Sequence, residues 1–142
     1  MHDIIVIGGG PAGLTAALYA LRAGKSVLVI EKSTFGGQIT WSPKVENFPG
    51  IPSVSGAELG DKFTAQALDQ GAELELDEVT SVELDGDIKR VKTDFGGTFE
   101  AKALIIASGA IATAPIVTTP PKTTNGFTFS RINSVCPVPY VS

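Results

Sequence analysis

Three glycines near the amino terminus are spaced as in a turn that binds a dinucleotide. Gly8, Gly10 and Gly13 form the pattern G-x-G-x-x-G between the apolar run Ile4 to Ile7 and a segment of helical periodicity that begins near Pro11. Gly8 permits a tight turn, Gly10 lets the backbone approach a pyrophosphate, and Gly13 lets the helix pack closely on the sheet. The free N–H groups and positive dipole end of such a helix attract phosphate. We therefore predict a dinucleotide site at this turn.

An acidic residue closes the next predicted strand. Gly24 is a helix stop signal, and the run Ser26 to Ile30 after it predicts a second strand, so the glycine turn lies in the first half of a βαβ unit. Glu31 follows 18 residues after Gly13. At this position a carboxylate accepts hydrogen bonds from the adenosine ribose hydroxyls. The acid also argues against a 2′-phosphate in the site.

Charge and composition exclude several other functions. Residues 4 to 21 carry no charge, but the glycines and Pro11 interrupt any continuous membrane helix, and the opening Met-His-Asp does not resemble a secretion signal. The net charge of −4 over 142 residues indicates no surface for nucleic acid or an anionic membrane. A single cysteine, Cys136, excludes an internal disulfide framework. We expect a cytoplasmic location.

The remaining elements predict an α/β fold. Ser55 with Glu58 three residues later has capping-box spacing and predicts a helix that ends near Gly71, with an apolar face formed by Leu59, Phe63 and Ala67. Three further runs predict an antiparallel meander, namely Val79 to Leu84, Ile88 to Thr93 and Thr98 to Ala101. A buried strand, Ala103 to Ala110, is predicted after it.

The composition changes after Ala110. Residues 111–142 contain five of the nine prolines, no acidic residue and no clear periodicity. We expect two regions, which are an incomplete cofactor-binding domain over residues 1–110 and an atypical, extended or poorly ordered tail over residues 111–142.

Four segments together resemble a known family. They are DIIVIGGGPAGLTAALYALRAGKSVLVIEK, FGGQITWSPKVENFPG, ELELDEVTSVEL and ALIIASGA. Over residues 3–110 they resemble the FAD domain of the low-molecular-weight thioredoxin reductases. The resemblance implies a three-layer FAD/NAD(P)-binding, Rossmann-like fold with a parallel central sheet and a small antiparallel meander. The segment with Gly36-Gly37-Gln38 and Val45 to Gly50 is the more specific part of the match.

The resemblance also implies which residues contact FAD. The pyrophosphate would lie on the glycine turn, the ribose near the end of the second strand, and the middle of the cofactor near the second glycine pair. The residues at the pyrophosphate would be Gly8, Gly10, Pro11, Ala12 and Gly13, and those at the ribose would be Glu31 and Lys32. Gly36, Gly37 and Gln38 would lie at the middle of the cofactor, and Asn47 would lie at the flavin end. Val79 would touch adenine through its backbone, and Ala107, Ser108 and Gly109 would pass under the cofactor, with Ser108 where the family usually has threonine.

The residues alone leave simpler interpretations open for some of these positions. Gly36-Gly37 is consistent with an ordinary loop, and Asn47-Phe48-Pro49-Gly50 with a turn whose Phe48 enters the core. Trp41 is expected to be a partly buried packing residue.

In the resembled family, electrons pass from NADPH to FAD, to a Cys-x-x-Cys pair and then to thioredoxin. A dithiol cycle needs a second thiol to resolve the mixed disulfide. Here Cys136 has Pro139 where that thiol would stand, and no second glycine fingerprint marks an NADPH domain. We therefore expect no catalytic residue beyond, at most, the lone Cys136 thiol, and a truncated FAD-binding part of a thioredoxin-reductase-like oxidoreductase.

Two alternatives remain open. One is a flavoprotein like the ferredoxin-NADP reductases that lack the cysteine pair, and the other is a non-catalytic module that binds a nucleotide. FAD is the expected ligand, and thioredoxin or another redox protein is the expected partner. A homodimer is compatible with the resemblance, and no metal site is expected.

Overall fold

The computed structural model describes residues 1–84 and 86–109. Strands and helices follow one another in the order β1 His2–Ile7, α1 Pro11–Arg22, β2 Val27–Glu31, a short 3₁₀ helix Gly37–Trp41, α2 Gly56–Asp69, β3 Glu73–Leu76, β4 Val79–Glu83, β5 Lys89–Thr93 and β6 Thr98–Ile106. The predictions for residues 111–142, including that for Cys136, lie outside the described residues.

The six strands form one sheet in the order β3-β2-β1-β6-β5-β4. The first four of these are parallel to one another, whereas β5 pairs antiparallel with both β6 and β4. The carboxyl ends of β1, β2, β3 and β6 therefore meet at one edge of the sheet. In open α/β sheets this is the edge at which ligands bind.

Two layers cover the parallel part of the sheet. Side chains alternate between the two faces of a strand, so Ile5 and Ile7 of β1 pack with Val82 and Val91 from the antiparallel strands. Val6 points the other way and packs with residues of α1 and β2. The three-layer arrangement of helices, parallel sheet and meander that the sequence predicted is confirmed.

Both predicted helices are present, and each begins as its sequence suggests. Pro11 occupies the first turn of α1, where no N–H is needed. The Ser55 hydroxyl accepts a hydrogen bond from the Glu58 N–H at 3.1 Å and caps α2. The Glu58 carboxylate does not complete a reciprocal capping box, because it pairs with Lys62 at 2.8 Å.

Two of the strand predictions need more than a shift of one or two residues at their ends. Thr98 to Ala101 and the run from Ala103 were predicted as separate strands, but one nine-residue strand, β6, runs from Thr98 to Ile106. No glycine or proline separates them, and Ala101 pairs with Lys89 on one side and with His2 on the other. The strand therefore passes from the meander into the parallel sheet without a break.

The second correction concerns the segment ELELDEVTSVEL, in which a strand was predicted only from Val79 onward. Its first residues form β3, a short parallel strand that pairs with β2 through Leu74 and Val29 among others. The strand lies at the sheet edge, and its four residues alternate acid and leucine, which is the pattern of a half-buried strand and could have indicated it. The strand β2 also begins and ends one residue later than predicted, at Val27 and Glu31.

Candidate functional site

The glycine turn between β1 and α1 is tightly packed from below. A methyl group added at Gly8 would overlap the carbonyl oxygen of Ala107, and one added at Gly13 would overlap the carbonyl oxygen of Gly8. Gly8 has a φ of 108°, which strongly favours glycine. The Gly8 N–H donates to the Ile30 carbonyl at 2.8 Å and joins the turn to β2. The spacing of these two glycines is therefore required by the fold itself.

Gly10 has a different environment from its two neighbours in the motif. The nearest atom to a methyl group at Gly10 would be the Gly37 Cα, at 3.9 Å. Gly10 caps α1 without a side-chain hydrogen bond, and the first turn of α1 contains no acidic residue. The amino end of α1 therefore carries no acidic side chain of its own and is open toward a groove.

This groove has a volume of about 680 Å³ and lies at the carboxyl edge of the parallel strands. Most of the predicted site residues line it, namely Gly8, Gly10, Pro11, Ala12, Glu31, Lys32, Gly37, Gln38, Val79, Ala107, Ser108 and Gly109. Its size lies within the range of about 300–1,000 Å³ that is usual for cofactor pockets.

Glu31 is a buried acid on the wall of the groove. Its side chain is 9% exposed, and its Oε2 accepts a hydrogen bond from the Gly9 N–H at 2.7 Å. Its Oε1 accepts hydrogen bonds from the Ser33 N–H at 3.0 Å and the Ser33 hydroxyl at 3.1 Å. A carboxylate accepts about four hydrogen bonds, so about one acceptor direction remains for a ligand. Glu31 thus fixes the glycine turn and also presents negative charge to the groove.

The second glycine pair brings the 3₁₀ helix against two other elements. The Gly36 N–H donates to the Gly9 carbonyl at 2.8 Å. A methyl group at Gly36 would lie 2.8 Å from the Gly60 Cα in α2, and one at Gly37 would lie 2.8 Å from the Gly10 Cα. Both glycines have positive φ values, 97° and 65°. The pair therefore packs the second segment onto the first and is more than a flexible loop.

Three predicted site residues do not line the groove. Gly13 lies beneath the turn, and Gly36 faces α2. Asn47 is exposed in the connection between the 3₁₀ helix and α2, where its neighbour Phe48 packs against Phe63 with ring centroids 5.6 Å apart. The flavin contact assigned to Asn47 stays a prediction.

A sequence model of the pyridine nucleotide-disulphide oxidoreductase family matches residues 2–136. The chain belongs to this family. Its membership agrees with the glycine turn, the buried acid after β2 and the groove between them, and it confirms the resemblance inferred from the sequence.

Individual members of the family show the same relationship. The chain is 50% identical over 110 residues to the bifunctional thioredoxin reductase/thioredoxin of Mycobacterium leprae. The matched region covers 77% of this chain and 24% of that protein. Thioredoxin reductase from Streptococcus pyogenes matches with a TM-score of 0.75 and 41% identity, over 81% of this chain and 37% of that one. A ferredoxin-flavin thioredoxin reductase from Clostridium acetobutylicum matches with a TM-score of 0.71 and 35% identity, over 80% of this chain and 39% of that one. The chain therefore spans well under half the length of these relatives.

Several groove residues of this family member were not predicted from its sequence. They are Ile7, Ile30, Ser33, Thr34, Ile39, Trp41, Asp77, Glu78 and Thr80. The segment 77–80 follows the carboxyl end of β3, so recognising that strand would have placed it at the ligand-binding edge. Glu78 also forms an ion pair with Lys32, another residue of the groove, with N···O 3.8 Å.

Asp77 joins the groove to the meander. Its side chain is 4% exposed, its N–H donates to the Glu31 carbonyl at 2.9 Å, and its Oδ1 accepts from the Glu78 N–H at 2.7 Å. The Phe95 N–H also points at this carboxylate, at 3.3 Å. Burial acts to raise the pKa of Asp77, but hydrogen bonds from Thr93, Phe95 and Glu78 outweigh it and lower the pKa below its usual value.

We expect Asp77→Asn to destabilise the fold in a pH-dependent manner. A carboxyl whose pKa is lower in the folded state stabilises the fold above the unfolded-state pKa, about 3.9, and loses this effect as pH falls through the folded-state pKa. The difference in free energy of unfolding between wild type and Asp77→Asn should therefore be largest near pH 7 and shrink below about pH 4. Urea denaturation at several pH values measures it.

Asp61→Asn, on the exposed face of α2, is the matched control and should change stability little at any of these pH values. A loss in Asp77→Asn that stays constant from pH 7 to acid would contradict the role of the ionised carboxylate.

Within the described residues, no group of three or more His, Cys, Asp or Glu side chains is arranged to hold a metal ion. No helix in the described part of the chain is long and apolar enough to cross a membrane.

Proposed function

We propose that this chain is the FAD-binding part of a thioredoxin-reductase-like oxidoreductase. The single observation that supports this best is one continuous groove that runs past Glu31, the amino end of α1 and Gly37. A dinucleotide needs an acceptor for its ribose, a positive helix end for its pyrophosphate and room for its second ring system. The groove offers these three environments side by side.

The adenosine would lie at the carboxyl end of β2. The remaining acceptor direction of Glu31 would receive a ribose hydroxyl, and Lys32 and Val79 line the same part of the groove. Because the Gly9 and Ser33 groups hold the Glu31 carboxylate in place, the acceptor is oriented before a ligand arrives.

The pyrophosphate would lie over Gly10. The space above this residue would be filled by a side chain in any other amino acid, and the first turn of α1 contributes no negative charge that would oppose the phosphates. Gln38 and Ser108 would then face the flavin side of the cofactor. When bound, FAD would supply the redox chemistry, and the chain would bind and orient it.

The complete reaction would carry electrons from NAD(P)H through FAD to a disulfide, with thioredoxin or another redox protein as the acceptor. The NAD(P)H-binding and dithiol functions would belong to parts of the relatives that this chain does not span. A homodimer and a cytoplasmic location belong to the same proposal. The ferredoxin-flavin thioredoxin reductase among the solved relatives favours ferredoxin as a second candidate electron source.

A competition experiment tests the proposed orientation. FAD should bind, and ADP-ribose should displace it because ADP-ribose carries the adenosine and pyrophosphate. ADP-ribose that carries a 2′-phosphate should bind at least about tenfold more weakly than ADP-ribose itself, because the added charge would face the buried Glu31. Fluorescence anisotropy of FAD measures both affinities. Equal displacement by the two compounds, or no binding of FAD, would contradict the proposal.

A further inference from the structure

Trp41 is an exposed aromatic residue on the wall of the groove. Its side chain is 75% exposed, although tryptophan is normally largely buried, so the expectation of a partly buried packing residue is wrong. Leaving an indole in water forgoes a large favourable burial energy. Its place on the groove wall suggests that a ligand covers it.

The backbone around Trp41 is held rigidly. The Thr40 hydroxyl donates to the Gly37 carbonyl at 2.8 Å, and the Ser42 N–H donates to the Ile39 carbonyl at 3.0 Å. The Ser42 carbonyl in turn accepts the Gly56 N–H at 2.9 Å, which fastens the end of the 3₁₀ helix to the start of α2. Because a tryptophan has only two side-chain torsions, one on a fixed backbone loses little conformational entropy when it binds a ligand.

The position of Trp41 along the groove points to one end of the cofactor. The 3₁₀ helix begins at Gly37, which lies against Gly10 and therefore against the proposed pyrophosphate position. Because a 3₁₀ helix rises about 2 Å per residue, Trp41 lies roughly 8 Å beyond that contact. The adenosine-side residue Val79 belongs to the meander, whereas the 3₁₀ helix packs on α2 through Gly36 and Gly60.

We propose that the indole of Trp41 stacks on the isoalloxazine ring of bound FAD. This inference rests on the proposed FAD site and names a further binding residue in it. Both ring systems are flat and aromatic, and offset stacking of such rings stabilises a complex beyond simple burial. The contact makes Trp41 specific for the flavin half of the dinucleotide.

The test compares two ligands on the full chain. FAD carries the isoalloxazine, and ADP-ribose carries only the adenosine and pyrophosphate half. Trp41→Ala should bind FAD about threefold to tenfold more weakly than wild type while its affinity for ADP-ribose stays within about twofold. Trp41→Phe retains a ring and should stay close to wild type for both ligands. Isothermal titration calorimetry measures all of these affinities.

Tyr19→Ala is the matched control, because Tyr19 is a 71% exposed aromatic residue of α1 that does not line the groove. It should bind both ligands like wild type. Equal weakening of FAD and ADP-ribose in Trp41→Ala would show that Trp41 acts through the fold or the adenosine end, and unchanged FAD affinity would show that the indole does not touch the flavin. Either result overturns this inference while the FAD site stands. A wild-type chain that binds no FAD overturns the proposed function as well.

Discussion

Gly13→Ala is expected to lose a large part of the stability of the folded protein. The added methyl group would overlap the Gly8 carbonyl oxygen and lie 3.3 Å from the Val6 side chain. The turn cannot move away easily, because the Gly8 N–H is bonded to Ile30 and Gly8 itself lies against Ala107. Overpacking of this kind costs about 3 kcal/mol, a large part of a typical stability of about 5–15 kcal/mol. Urea denaturation followed by circular dichroism measures the loss.

Gly10→Ala, three residues earlier in the same motif, is the control for this effect. It should keep a denaturation midpoint close to that of wild type, because its methyl group would meet no atom closer than 3.9 Å. If Gly13→Ala were as stable as Gly10→Ala, the close packing of α1 on the turn would not exist as described.

The second large effect is on binding, and it is expected in Gly10→Ala itself. Gly10 has an extended conformation, with φ −79° and ψ −177°, which alanine adopts without strain. The methyl group would nevertheless stand between the free N–H groups of α1 and the pyrophosphate. We expect the affinity for FAD to fall about tenfold to a hundredfold, equivalent to about 1.4–2.8 kcal/mol. Titration of FAD fluorescence measures this change.

Gly24→Ala gives the opposite pattern and completes the comparison. Gly24 has a φ of 74° and open space around it, beyond the end of α1 and away from the groove. Alanine there should cost about 1 kcal/mol of stability through backbone strain and leave FAD binding unchanged. If Gly10→Ala lowered stability and kept its affinity for FAD, Gly10 would be a structural glycine and not a binding residue.

The features that were predictable from the sequence are local ones. The glycine turn, α1 and the Ser55 cap depend on residues within a few positions of one another, and each is present in the structure. The position of Glu31 on the groove was also predictable, because the motif fixes the distance from the turn to the end of the next strand.

The features that were missed depend on pairing between distant segments. The parallel place of β3 beside β2 depends on their pairing, and the continuity of β6 depends on Ala101 having partners on both sides. The role of Asp77 follows from contacts with Glu31 and with the turn at Phe95, which are far from it in sequence. The exposure of Trp41 depends on how the 3₁₀ helix packs on α2. Sequence periodicity carries little information about any of these contacts.

The most direct test of the proposed function is the visible absorption spectrum of the folded chain after incubation with FAD and removal of free cofactor by gel filtration. A functional groove predicts flavin absorption at close to one FAD per chain, with the Gly10→Ala variant retaining much less. A chain that is folded by circular dichroism but retains no flavin would contradict the proposal that these residues form an FAD site.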